Sequence, residues 1–143
     1  MTWQEVLAAI ARSHHAIDGG AGWCGLQLDV GARRPQRLAV KLGYDETAVV
    51  LMAQVCAQHH IEPGLALGYN SVIEHVSLGL ESGVYVLRCT RPLAPLSDGD
   101  LAILLAALTY EATRLRRAHV VELDDDVFAS LGIATFGHWT APA

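Results

Sequence analysis

Three cysteines, seven histidines and a run of acidic residues are the side chains here with chemistry beyond packing. Trp23-Cys24-Gly25 has the look of the start of a dithiol redox site. Such a site needs a second thiol at position 27, and that residue is Gln27, so dithiol exchange has no resolving partner. His14-His15 and His59-His60 are adjacent pairs, and adjacent side chains point apart on a helix or a strand. No two histidines stand at the i, i+2 or i, i+4 spacing that would share one metal. Asp124-Asp125-Asp126 is contiguous, without the alternating ligands, central glycine and distant glutamate of a calcium loop. Glu74, Glu81 and Glu111 are the acids nearest structured elements in the second half, and nothing brings two of them together for acid–base work. No GxSxG, phosphate loop or dinucleotide fingerprint occurs. The reading is a binding protein, not an enzyme, with no metal and no cofactor.

Composition narrows the kind of binding. At 143 residues the chain is one domain with room for a core. Hydrophobic residues make up 52% of it and mean hydropathy is +0.29, high for a small monomer. That excess points to a second buried surface, most simply a homodimer or a permanent partner. No apolar run reaches the roughly 18–20 residues that span a bilayer, and the start Met1-Thr2-Trp3-Gln4-Glu5 has no signal-peptide pattern. The expectation is therefore a cytoplasmic protein with no membrane insertion. Cys24, Cys56 and Cys89, an odd number in apolar surroundings, are expected to be reduced. Residues 1–60 balance five acids with five Lys/Arg, whereas residues 61–143 carry ten acids and five Arg. An acidic second half argues against nucleic acid, which needs a basic footprint. The basic clusters Arg33, Arg34, Arg37 and Arg114, Arg116, Arg117 read as a turn and a helix end.

Periodicity supplies the elements. Thr2 and Glu5 have capping-box spacing, and Trp3, Val6, Leu7 and Ile10 share a helical face. A helix is expected over 2 to about 17, ended by the loop 18–22. Leu26, Leu28 and Val30 alternate with polar residues, as do Leu38, Val40 and Leu42; both segments read as half-buried strands. From Thr47 to about Ala57 apolar residues occupy both faces, the signature of a central strand covered on each side. Pro63 opens a weak helix to about residue 73, carrying Gly64 and Gly68. Val76–Ser82 and Val84–Cys89 form a hairpin about Ser82-Gly83. Ser97 caps a long helix, 98 to about 118, whose Leu101, Leu104, Leu105, Leu108, Ala112 and Leu115 make an apolar stripe. The fold class is α+β, in the order α-β-β-β-α-β-β-α, with about five strands. Residues 1–120 form the domain, and 121–143 a C-terminal tail, docked or mobile.

This order of elements in an acidic chain of this length resembles the class I chaperones of bacterial type III secretion, over about residues 2–118. The sharper parts are Tyr69-Asn70, the hairpin, and Leu93-Ala94-Pro95-Leu96-Ser97 before an Ala/Leu-rich helix with an Arg-rich end. The two glycines and short length of the middle helix depart from the pattern, as do the numerous cysteines and histidines. The resemblance implies a twisted antiparallel sheet, a homodimer, and a surface that holds the unfolded N-terminal segment of a secreted effector. Under it, Trp3, Val6, Leu7, Ile10, Leu26, Leu28, Leu38, Val40 and Leu42 are the expected partner-binding residues. Leu65, Leu67, Tyr69, Val76, Leu78 and Leu80 are the expected dimer interface. Two alternatives remain open: a regulator or adaptor of the same fold that binds folded partners, and a small-ligand domain using a pocket near Trp23, His75 and Tyr110.

Overall fold

The first helix, α1, spans Trp3–Ser13 in the computed structural model, which describes residues 1–14, 16–30 and 35–119. Thr2 and Glu5 close a capping box: Glu5 N–H donates to Thr2 Oγ1 at 3.2 Å, and Thr2 N–H donates to Glu5 Oε2 at 2.7 Å. The helix stops short of the expected residue 17. Ser13 Oγ turns back to the Ala9 carbonyl, and His14 is already extended. In place of the expected tail of helix and loop stands a strand, β1 (Ala16–Gly20).

A two-residue turn through Ala21 and Gly22 joins β1 to β2 (Trp23–Leu28), with Gly20 paired to Trp23. Gly22 has φ 77°, a conformation that costs glycine little. A Cβ on Gly20 would come within 2.6 Å of the Trp23 indole nitrogen, so this position has room for glycine alone unless the indole moves. The chain continues as β3 (Gln36–Leu42), β4 (Ala48–Ala57), a 3-10 turn at Gln58–His60, α2 (Pro63–Tyr69), β5 (Ser77–Glu81), β6 (Val84–Pro92) and α3 (Asp98–Ala118). The fold is α+β as expected, but in the order α-β-β-β-β-α-β-β-α.

Among the described residues the six strands form one antiparallel sheet in the spatial order β1-β2-β3-β4-β6-β5. Ser82 and Gly83, with φ 50° and 79°, make the β5–β6 turn that the sequence predicts. Strand β6 runs past the expected Cys89 to Pro92, because β4 is long enough to pair with it down to Ala48.

One face of the sheet carries Leu26, Leu38, Val40, Leu51, Ala53, Leu87 and Cys89, which join the buried residues of all three helices in one core. Helix α3 lies across β3, β4 and β6. Its Leu104, Leu108, Ala112 and Leu115 are at most 5% exposed, each leucine contributing about 2 kcal/mol of burial. Ser97 and Asp100 close a capping box at its start. Near its end the buried Arg116 donates from Nη1 to Gln36 Oε1 at 2.9 Å, and Gln36 Nε2 donates to the Gln54 carbonyl at 2.9 Å. The helix terminus is thereby fixed to β3 and β4.

Candidate functional site

The reactive side chains do not assemble. Cys24, Cys56 and Cys89 are buried thiols outside any disulfide. Burial pushes the Cys56 thiol up to about 11, and burial raises Cys89 as well despite the opposing Arg91 charge. Neither is a nucleophile at neutral pH. Glu81 is paired with Arg88 at 2.7 Å and Glu111 with Arg114 at 2.6 Å, so both acids are structural. Among the described residues no group of three His, Cys, Asp or Glu is placed to hold a metal. His15 and Asp124–Asp126 lie outside the described residues.

The small-ligand pocket expected near Trp23, His75 and Tyr110 is not formed by those three. Trp23 is on β2 and His75 leads into β5, with β3, β4 and β6 between them. A pocket of about 290 Å³ does include His75, but its other walls are Arg91, Pro92, Pro95, Leu96, Asp100, Ile103 and Leu104. Tyr110 stands on the outer side of α3, 66% exposed.

What the fold offers instead is edges and apolar surface. A sheet edge exposes a row of backbone donors and acceptors that pair with an added strand. The two edges here are β1 and β5. On β5, Leu78 and Leu80 turn their backbone groups outward, since the intervening residues pair with β6. Asn70, just past the end of α2, occupies Leu78: its Oδ1 accepts the Leu78 N–H at 2.7 Å and its Nδ2 donates to the Leu78 carbonyl at 2.9 Å. The side chain thus takes the place a neighbouring strand would take. This is also why α2 ends before the expected residue 73: Ser71 Oγ returns to the Gly68 carbonyl, and the backbone turns through Val72 and Ile73 back to Tyr69. On the opposite edge, no described strand pairs with the outer side of β1.

The residues expected to bind a partner divide in two. Val6, Ile10, Leu26, Leu38 and Val40 are at most 1% exposed and belong to the core, so they present no surface to a partner in this fold. Amphipathic periodicity marks a buried face without saying what buries it, and here α3 and the other strands do so. Trp3, Leu7, Leu28 and Leu42 are partly buried, packed on the margin of that core with some surface left over.

The residues expected at a dimer interface divide as well. Val76 and Leu78 are core residues, 7% and 8% exposed. Leu65, Leu67 and Leu80 are 47%, 72% and 52% exposed, and Val72, which the sequence reading passed over, is 69% exposed. Tyr69 is half-buried, with its hydroxyl 2.8 Å from His119 Nε2, and this contact ties α2 to the end of α3. A Cβ on Gly68 would meet nothing, so the surface of α2 is open to close approach at that point. Val72 falls inside the helix expected to about residue 73, but in the structure it stands past the end of α2, in a turn.

No family model matches this chain, and no curated protein matches it. Solved structures do. A chain of the HopA1-SchA chaperone-effector complex aligns with a TM-score of 0.64 and 19% identity, over 80% of this chain and 93% of that one. A chain of the ExsC-ExsE complex aligns with a TM-score of 0.60 and 15% identity, over 82% and 96%. The Yersinia pestis type III secretion chaperone SycH in complex with a stable fragment of YscM2 gives 0.54 and 14%, over 78% and 94%. These likenesses show a shared fold: an antiparallel sheet with helices on one face, spanning nearly the whole length of each of those chains.

Proposed function

We propose that this chain, which has the fold of the type III secretion chaperones, is itself such a chaperone and binds a secreted effector protein through an extended, N-terminal segment of it. The observation that carries this reading is the inequality of the two sheet edges. Asn70 fills the β5 edge at Leu78, while β1 is the terminal strand on the other side. An extended peptide adds to a sheet by backbone pairing and gains specificity from pockets for alternate side chains. In this reading it adds beside β1, with Trp3, Leu7, Leu28 and Leu42 as the apolar margin available to its side chains.

The same reading makes the protein a cytoplasmic homodimer. Leu65 and Leu67 of α2, Val72 in the turn after it and Leu80 of β5 are the exposed apolar side chains that a second copy would cover. With Leu78 capped by Asn70, the two copies meet through side chains rather than by joining sheets. No described helix is long and apolar enough to cross a membrane. Residues 1–120 act as the binding domain, and 121–143 are an appendage to it.

Affinity capture from the native cytoplasm, followed by limited proteolysis of what is bound, tests this function. One or a few proteins held through a single protease-resistant N-terminal segment are expected. Recovery of intact folded partners held through other regions would overturn it in favour of an adaptor.

A further inference from the structure

Three imidazoles meet where the 3-10 turn Gln58–His60, the end of α2 and the end of α3 come together. A regular helix or strand would point His59 and His60 apart. The tight turn instead sets their ring centroids 4.1 Å apart, tilted by 36°. His119 caps the end of α3, and its Nε2 is 2.8 Å from the Tyr69 hydroxyl of α2. The charge of His119 also acts on His60, so the three rings form one electrostatic group. Imidazole is the side chain whose ordinary titration falls between about pH 5 and 8. Neutral, the three rings share this junction without penalty. Charged, they repel one another.

We infer that the His59–His60–His119 cluster is a pH-sensitive latch between α2 and α3, closed while the histidines are neutral and opened when they take up protons. No counter-charge is at hand. Among the described residues no carboxylate bonds any of the three rings. On α3, Arg114 lies over the Tyr69 ring at 5.9 Å, and Glu111 is bound to Arg114. Arg116 and Arg117 of the same helix donate to Gln36 and to the Val30 carbonyl. On α2, the Glu62 carboxylate accepts the N–H groups of Gly64 and Leu65. On the sheet side, Gln58 N–H donates to the Gly83 carbonyl, and Glu81 of that hairpin is bound to Arg88. Tyr85 of β6 gives its hydroxyl to the Ile61 carbonyl.

The direction of the response follows. Burial first, then the charges of His59 and His119, hold His60 below its ordinary 6.5. The opened junction therefore takes up this proton before the closed one does. The closed form loses stability as pH falls from 6.5 to that lower value. The Tyr69–His119 bond itself survives with its roles exchanged, since a charged imidazole donates from Nε2. Repulsion between His119 and the turn is what opens the latch. Helix α2 is the element that yields, being seven residues long with Gly64 and Gly68 among them. The latch lies within one chain and depends neither on effector binding nor on dimerisation.

Amide hydrogen exchange at residues 66–69 of the full chain, corrected for intrinsic rates, tests this between about pH 7.5 and 5.5. Glu62 stays charged across that window, because its carboxyl lies below 4.5. Protection in the native chain is expected to fall about three- to tenfold, one unit of displaced proton affinity being a factor of ten. Positions 59 and 60 are exposed, so a His59→Asn, His60→Asn variant should fold with its Tyr69–His119 contact intact. Its protection at 66–69 should stay constant over the same window. Constant protection in the native chain would overturn the inference. So would an equal loss in the variant, which would assign the response to other groups.

Discussion

The carboxamide of Asn70 holds both backbone polar groups of Leu78, accepting its N–H at 2.7 Å and donating to its carbonyl at 2.9 Å. One side chain thereby anchors the end of α2 to an edge strand and closes that edge to pairing at Leu78. Asn70→Ala removes both bonds. At about 1 kcal/mol net for each, the variant should be about 1–2 kcal/mol less stable in urea unfolding. Freed backbone at Leu78 should also promote concentration-dependent association, read by sedimentation. Unchanged stability and unchanged association would show that water serves the edge equally well.

The apolar surface of α2 gives a second expectation. Leu67 and Val72 are largely exposed in a single chain, so Leu67→Asp with Val72→Asp should alter the stability of the folded subunit by no more than about 0.5 kcal/mol each. If the proposed homodimer forms through this surface, the pair should convert it to a monomer by light scattering. A variant that stays dimeric would place the interface elsewhere.

The thiols should be silent in the native state. All three are buried away from reagent, and burial raises Cys56 to about 11 and raises Cys89 as well. A thiol reagent should label none of them until the protein unfolds and all three afterwards. Rapid labelling of one in native buffer would contradict that burial.

Acid should weaken α2 specifically. Glu62 caps this helix, accepting the N–H groups of Gly64 and Leu65 at 2.9 and 3.0 Å, and these bonds lower its carboxyl below the ordinary 4.5. The unfolded chain therefore takes up this proton first as pH falls. The cap's contribution is complete above about pH 4.5 and disappears as pH drops through the folded value. The stability difference between the native chain and Glu62→Gln should be constant from pH 7 to about 5 and shrink below that.

Much of this architecture was legible where side chains alternate. The capping boxes at Thr2 and Ser97, the leucine stripe of α3, the hairpin about Ser82-Gly83 and the doubly buried β4 all write themselves into residue type and spacing. Strand β1 did not, because Gly19 and Gly20 have no side chain to carry a pattern, and its pairing with β2 comes from the Gly22 turn and the room beside Trp23. The site was harder to read for a related reason. Val6, Ile10, Leu26, Leu38 and Val40 carry the periodicity of a face that must be buried, and sequence cannot distinguish burial by the rest of the chain from burial by a partner. Tyr69-Asn70 stands out only through the resemblance, inside a helix expected to about residue 73, and the bond of Asn70 to a backbone eight residues away has no local signature.

Amide hydrogen exchange on the chain, alone and bound to a captured effector polypeptide, tests strand addition most directly. The account predicts that exchange slows in Ala16–Gly20 on binding, while Ser77–Glu81, capped at Leu78, is unchanged. Protection confined to Ser77–Glu81, or bound polypeptide with no change at Ala16–Gly20, would contradict it.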